Sequence, residues 1–151
     1  MRQEKDMITK DLERTAKVRW HGSIKGGNGK VSTGSGYLQE VPYTWASRFA
    51  EEKGTNPEEL IGAAHAACFA MQLSALLTEK EYDIHHINVE AHVFMSATAP
   101  RSIKRIKLVV HALVDDLEAD MFQTQAEEAK RECPVSRALA AVPIELEAIL
   151  D

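Results

Sequence analysis

Residues 56–80 read NPEELIGAAHAACFAMQLSALLTEK, and this stretch decides the fold. Asn56 is a preferred N-cap residue, Pro57 suits the first helical position, and Glu58 and Glu59 suit the positive end of a helix dipole. From Leu60 to about Lys80 the residues are Ala, Leu, Met and other strong helix formers, with few breakers. The pattern predicts one long helix. Its small residues, among them Gly62, Ala63, Ala66, Ala67 and Ala70, lie on nearly every face, so a central helix buried all round is expected.

Working outward from that helix, the flanks read mostly as strands. Upstream, Ala16, Val18 and Trp20 alternate with Lys17, Arg19 and His21, the period of a half-buried strand. Gly22 to Gly36 holds six glycines and reads as turns around a short strand at Lys30–Thr33. Residues 41–53 mix proline, aromatics and charge, and read as extended loop or an edge strand. Downstream, Ile87–Met95 and Ile106–Val114 alternate on either side of a turn near Pro100, an antiparallel pair with one face on the core. A second helix is expected over about Leu117–Arg131, with Leu117, Met121, Phe122 and Ala126 inward. A short helical piece follows from Pro134 through Ala140, and a last strand over Ile144–Leu150. This order, β-rich then α, ββ, α, β, gives an α+β class. One domain, residues 14–151, is expected behind a charged leader, residues 1–13.

Bulk chemistry narrows the function classes. A chain of 151 residues, 44% hydrophobic and 27% charged, has the composition of an ordinary soluble globular protein. Its net charge of −5 gives no electrostatic footprint for nucleic acid or an anionic membrane. The tightest basic group, Lys104, Arg105 and Lys107, reads as a solvated strand face. Residues 1–15 lack the apolar stretch of a secretory signal. The apolar run at 61–77 reads as too short and too polar to span a bilayer. A cytoplasmic location is therefore expected, where thiols are kept reduced.

Chemistry then rests on two cysteines. Cys68 lies near the middle of the long helix, and Cys133 lies where the second helix breaks. Each could be a small buried hydrophobe. Cys133 precedes Pro134 at the start of a helical turn, where free N–H groups favour a thiolate, whereas Cys68 needs a cation brought by the fold. His65 shares a helix face with Cys68. That spacing permits a Cys–His nucleophile pair, half of a metal site, or a structural histidine. The remaining His and Cys lack usual zinc-ligand spacing, so no metal and no other cofactor is expected. Residues 26–29 lack the Lys-Ser/Thr that would make a phosphate loop.

The segment Glu52-Lys53-Gly54-Thr55-Asn56-Pro57-Glu58-Glu59-Leu60-Ile61-Gly62-Ala63-Ala64-His65-Ala66-Ala67-Cys68-Phe69, with Cys133-Pro134-Val135-Ser136, resembles the OsmC branch of the OsmC/Ohr family. These are the osmotically inducible and organic hydroperoxide resistance proteins. Trp20-His21-Gly22, Lys30-Val31-Ser32-Thr33 and Arg48-Phe49 also fit, and the similarity covers about residues 15–151. The resemblance implies antiparallel sheets wrapped around central helices in an intertwined homodimer, with two active sites at the subunit interface. It implies a thiol peroxidase acting on organic hydroperoxides, with Cys68 as the peroxidatic cysteine and Cys133 as the resolving one. It further implies that Arg48 holds the thiolate charged and Glu58 orients Arg48. The related Ohr branch would place the activating arginine near Arg14 or Arg19 instead. A dithiol, in the form of a lipoylated protein, is the electron donor the resemblance implies. An apolar lining of Phe69, Met71 and Phe122 is a candidate selector of substrate. The bland alternative is a non-enzymatic stress-response binding module with buried structural cysteines.

Overall fold

The computed structural model describes residues 11–151. Of the charged leader, all but residues 11–13 lies outside the described residues, and those three are exposed without regular secondary structure. The chain divides into two compact units, one ending at Asn56 and the other running from Pro57 to Asp151.

The first unit is a three-stranded antiparallel sheet in the order β1 (Ala16–His21), β2 (Asn28–Thr33), β3 (Val41–Tyr43), followed by a short helix α1 (Trp45–Phe49). Trp20, Gly29 and Tyr43 lie side by side across the three strands. A side chain at Gly29 would collide with both the Tyr43 and Trp20 rings, so its glycine lets those rings approach to 5.6 Å between centroids. Val31 is the only buried hydrophobic side chain among the described residues of this unit. Helix α1 is the element that composition missed. Its signal is a capping box: Thr44 Oγ accepts from the Ser47 N–H at 3.0 Å, and Ser47 Oγ accepts from the Thr44 N–H at 2.8 Å. Ser47 Oγ also reaches the Thr55 carbonyl at 2.8 Å, and Asn56 Nδ2 donates to the Ser47 carbonyl at 3.2 Å. These bonds tie α1 to the segment that leads into the next helix.

The second unit carries the long helix α2 (Pro57–Glu79), strands β4 (Ile84–Met95) and β5 (Ile103–Val114), helices α3 (Ala119–Glu132) and α4 (Pro134–Ala138), and strand β6 (Ile144–Leu150). Strands β4 and β5 are antiparallel, as the short turn near Pro100 predicted. The β5–β6 pairing is parallel, so this sheet is mixed rather than purely antiparallel. Two helices intervene between β5 and β6, and such a crossover returns the chain in the same direction. Arg105 and Lys107 of the basic group pair with Glu145 and Glu147 on the neighbouring strand, so that solvated face is also an ion-paired one.

The core lies where α2 and α3 pack with β5. Ile106, Leu108, Val110 and Ala112 of β5 are fully buried with Phe69, Leu73 and Leu77 of α2 and Phe122, Ala126 and Ala129 of α3. Helix α3 turns Met121 outward and adds Gln125 and Ala129 to the expected buried row of Phe122 and Ala126. Phe69 and Phe122 are core residues, while Met71 is 76% exposed, so the three do not form one apolar lining.

Helix α2 departs from expectation in two ways. It is 23 residues long and apolar enough to cross a membrane by length and composition, contrary to the sequence reading of 61–77. Its buried row of Gly62, His65, Phe69, Leu73 and Leu77 packs into the protein core, the position of a core helix. That row is also narrow. Only 28% of its most apolar window is buried, and Ala63, Ala67, Met71 and Ala75 face outward. Gly62 lies against the sheet, where an added Cβ would stand 3.4 Å from Val93 Cγ2 and 3.6 Å from the Ala91 Cβ, ordinary contact distances that an alanine would also meet.

His65 gives this unit a pH dependence. It is fully buried, and burial pushes its pKa below the ordinary imidazole value. The unfolded chain therefore takes up a proton that the folded chain refuses. Stability is expected to fall as pH drops below about 6.5, with a slope of at most about 1.4 kcal/mol per pH unit from this residue. Denaturant titrations from neutral pH to about 5 should show a shallower slope for His65→Gln than for the native protein.

Candidate active site

Helix α2 sets Cys68 on the flank of its buried row, half-buried between His65 and Phe69. Cys133 sits at the junction of two helices, closing α3 and opening α4, and is fully buried. Pro134 forces that junction. It cannot donate the backbone hydrogen bond that would continue α3, but it fits the first turn of a new helix. The fold brings the two sulfurs together as hydrogen-bond partners, and both are free thiols.

Their surroundings differ. For Cys68, burial comes first and raises the thiol pKa; the hydrogen bond with Cys133 raises it further, and the Val135 N–H opposes both. For Cys133, burial alone would also raise the value. The Ser136 N–H, the Cys68 thiol, the Ser136 hydroxyl and the Val135 N–H together outweigh it and hold Cys133 below the ordinary thiol range. These donors act on the sulfur from around it, although it makes no formal capping bond to α4. Within this pocket Cys133 therefore loses its proton more readily than Cys68, the order that helix position predicted.

His65 does not pair with Cys68. Its Nε2 lies 2.7 Å from the hydroxyl of Ser136, a residue that is itself 4% exposed, and its Nδ1 is buried without a hydrogen-bond partner among the described residues. Of the open readings, the hydrogen-bonded structural histidine matches this geometry. Ser136 is the residue of this pocket that sequence reasoning passed over. It stood in the Cys133-Pro134-Val135-Ser136 motif, yet nothing local pointed to a histidine 71 positions upstream.

The other expected site residues lie apart along the chain. Glu58 occupies the first turn of α2, ten residues before Cys68. At 1.5 Å per residue the two are about 15 Å apart along the helix axis, beyond direct contact. Arg48 lies in the last turn of α1 in the first unit, its guanidinium 5.0 Å from the centre of the Phe49 ring. Arg19 stands on β1 opposite Lys30, and Arg14 precedes that strand with its guanidinium on the Glu13 carbonyl. Among the described residues no group of three or more His, Cys, Asp or Glu side chains is arranged to hold a metal ion.

Two neighbouring thiols at a helix break, one half-buried and one buried, can form a disulfide and be returned to thiols by exchange. The chain is similar in sequence and fold to known proteins. The chain is 44% identical to Peroxiredoxin OsmC of Escherichia coli (strain K12) over 131 residues, which is 86% of this chain and 92% of that protein. Its fold matches the organic hydroperoxide resistance protein OhrB of Bacillus subtilis at a TM-score of 0.70, with 28% identity over 89% of this chain and 98% of that one. An organic hydroperoxide resistance protein OsmC from Legionella pneumophila, described as a predicted redox protein and regulator of sulfide bond formation, matches at a TM-score of 0.70 with 25% identity, over 92% and 98% of the two chains. The family model described as OsmC-like protein matches residues 50–147, the span that includes both cysteines, and with the identity to the Escherichia coli protein this places the chain in the OsmC family.

Proposed function

We propose that this protein is a cytoplasmic thiol peroxidase that reduces organic hydroperoxides to alcohols, with Cys68 as attacking and Cys133 as resolving cysteine. The observation that carries this reading is the hydrogen-bonded contact of the two free thiols, drawn from α2 and from the α3–α4 junction. The names of the relatives support the substrate class: one is a peroxiredoxin and others are organic hydroperoxide resistance proteins.

The chemistry balances with thiols alone and calls for no cofactor. The Cys68 thiolate attacks one peroxide oxygen, the O–O bond breaks, and the alkoxide leaves and takes a proton to become the alcohol. Sulfur is oxidised to a sulfenic acid. Cys133 then attacks that sulfur. An S–S bond forms, the S–O bond breaks, and hydroxide leaves and is protonated to water. A dithiol, which the family resemblance suggests is a lipoylated protein, restores both thiols by two exchange steps.

Cys68 is the half-buried sulfur and the one a hydroperoxide can reach, yet its own pocket keeps it protonated. Lowering its pKa by two units takes about 2.7 kcal/mol of differential stabilisation. In our reading Arg48 supplies that, held by Glu58, and Arg14 or Arg19 are the substitutes. The axial distance from Glu58 to Cys68 means that Glu58 acts through the arginine rather than on the sulfur.

We further propose that residues 14–151 form one OsmC-like domain that is completed as a homodimer. The outward face of α2 supports this: Ala70, Met71, Ser74 and Ala75 line an apolar groove with Ile84 and Ile87. A second copy covering that face would give α2 the all-round packing its small residues suggest. Nothing in the charge balance suits a nucleic acid or membrane partner.

Turnover of cumene hydroperoxide with a dithiol tests the catalytic reading. Cys68→Ser is expected to abolish it, and Cys133→Ser to leave a sulfenic acid that over-oxidises. Arg48→Ala should raise the Cys68 pKa and slow reduction by orders of magnitude. Full turnover by Cys68→Ser would refute the scheme, as would two thiols that resist Ellman's reagent until unfolding. Met71→Glu is expected to shift the native protein from dimer to monomer in sedimentation; an unchanged dimer would remove α2 from the interface.

A further inference from the structure

The pocket behind Cys133 holds a buried polar pair that the proposed reaction does not yet use. Ser136 has one hydroxyl hydrogen, and two groups compete for it. One is the Cys133 sulfur, and the other is His65 Nε2 at 2.7 Å. Both side chains are shut off from water, His65 completely and Ser136 to 4%. The orphaned Nδ1 of His65 decides between the two arrangements. If Ser136 gave its hydrogen to Nε2, the imidazole would have to carry its own hydrogen on Nδ1. That would bury an unpartnered N–H donor, a rare and costly group. If Nε2 carries the hydrogen, Nδ1 is a bare acceptor, and an unmet acceptor is the lesser cost in a dry site.

We propose that His65 and Ser136 form a positioning relay for Cys133: the neutral imidazole donates from Nε2 to Ser136 Oγ, which turns the single hydroxyl hydrogen onto the Cys133 sulfur. His65 and Ser136 are thus positioning residues, acting on the sulfur of the resolving cysteine rather than on substrate. Burial keeps the imidazole neutral, which the relay requires, because a protonated ring would also place a donor on Nδ1. The bond from Ser136 favours the thiolate of Cys133, the form that attacks a sulfenic acid and the form that leaves when a dithiol opens the disulfide at Cys68. That consequence rests on the peroxidase reading; the relay itself does not.

The charged groups around this sulfur are engaged elsewhere. On α3, Lys130 pairs with Glu127, Arg131 pairs with Glu128, and the Glu132 carboxylate accepts from Gln72 on α2. On α4, Arg137 is exposed, and from α2 the facing groups are His65 and Cys68. Besides the Cys68 thiol, the Ser136 hydroxyl held by the buried imidazole is therefore the side-chain donor to this sulfur that a single substitution can remove.

The test needs no peroxide. In the native protein, ¹H–¹⁵N spectra of the imidazoles should show His65 as the Nε2–H tautomer at neutral pH; an Nδ1–H tautomer would overturn the relay. In Cys68→Ser protein, where Cys133 is the sole thiol, its thiolate absorbance is then followed against pH. Ser136→Ala and His65→Leu are each expected to raise the midpoint, with a roughly tenfold smaller thiolate fraction below it. The double variant should be no worse than Ser136→Ala, while Ser136→Thr and His65→Gln should keep the low value. An unmoved midpoint in Ser136→Ala would overturn the proposal, and so would a His65→Leu effect on melting temperature alone. Because these readings involve no turnover, a peroxidase that fails with an intact relay and a relay that fails in a working peroxidase are told apart.

Discussion

The contact between Cys68 and Cys133 depends on one packing decision, the row of α2 that faces the sheet and the α3–α4 pair. Gly62, His65, Phe69, Leu73 and Leu77 recur at helical spacing and lock the rotation of α2. With that rotation fixed, Cys68 stands at the edge of the buried row, next to the helix break that Pro134 imposes after Cys133. A rotation of α2 by a single position, about 100°, would carry Cys68 away from its partner. The cysteine pair is thus positioned by apolar burial, and the sulfurs themselves contribute little to holding it.

The same burial sets an electrostatic problem. Removing two thiols from water raises both pKa values, and the fold answers unevenly. Cys133 is compensated locally by the N–H groups and hydroxyl of residues 135–136, whereas Cys68 gives a hydrogen bond and receives little in return. In the proposed reaction, a pair tuned this way would make the second cysteine the ready nucleophile and leave the first dependent on a cation. That division suits a two-step reaction, since the attacker would ionise only where the arginine completes the site. Cys133 would be poised from the start to intercept the sulfenic acid before a second peroxide does.

Much of the fold was legible because its elements obey simple periods. The long helix was marked by Asn56-Pro57-Glu58-Glu59, and β4, β5 and β6 by alternation at Ile87–Met95, Ile106–Val114 and Ile144–Leu150. The five-residue α1 was not, since Pro42 and the aromatics around it mask a helix whose evidence is a Thr44–Ser47 capping box. Parallel pairing of β5 with β6 was hidden as well, because alternation fixes faces and says nothing of direction. The degree of burial of α2 was overestimated for a physical reason: small apolar residues on every face signal close neighbours without saying that one chain supplies them all. At the candidate site, both cysteines were legible from their motifs, but their contact, and the hydrogen bond between His65 and Ser136, are tertiary facts that no local spacing encodes.

In the proposed reaction Cys68 and Cys133 of one chain form a single redox couple. Its most direct measurement is peptide mapping by mass spectrometry after the reduced protein meets one equivalent of an organic hydroperoxide. Both thiols should be lost together, with one disulfide joining the Cys68 and Cys133 peptides within a chain. A stable Cys68 sulfenic acid beside a free Cys133, or a disulfide between Cys68 residues of two chains, would contradict it.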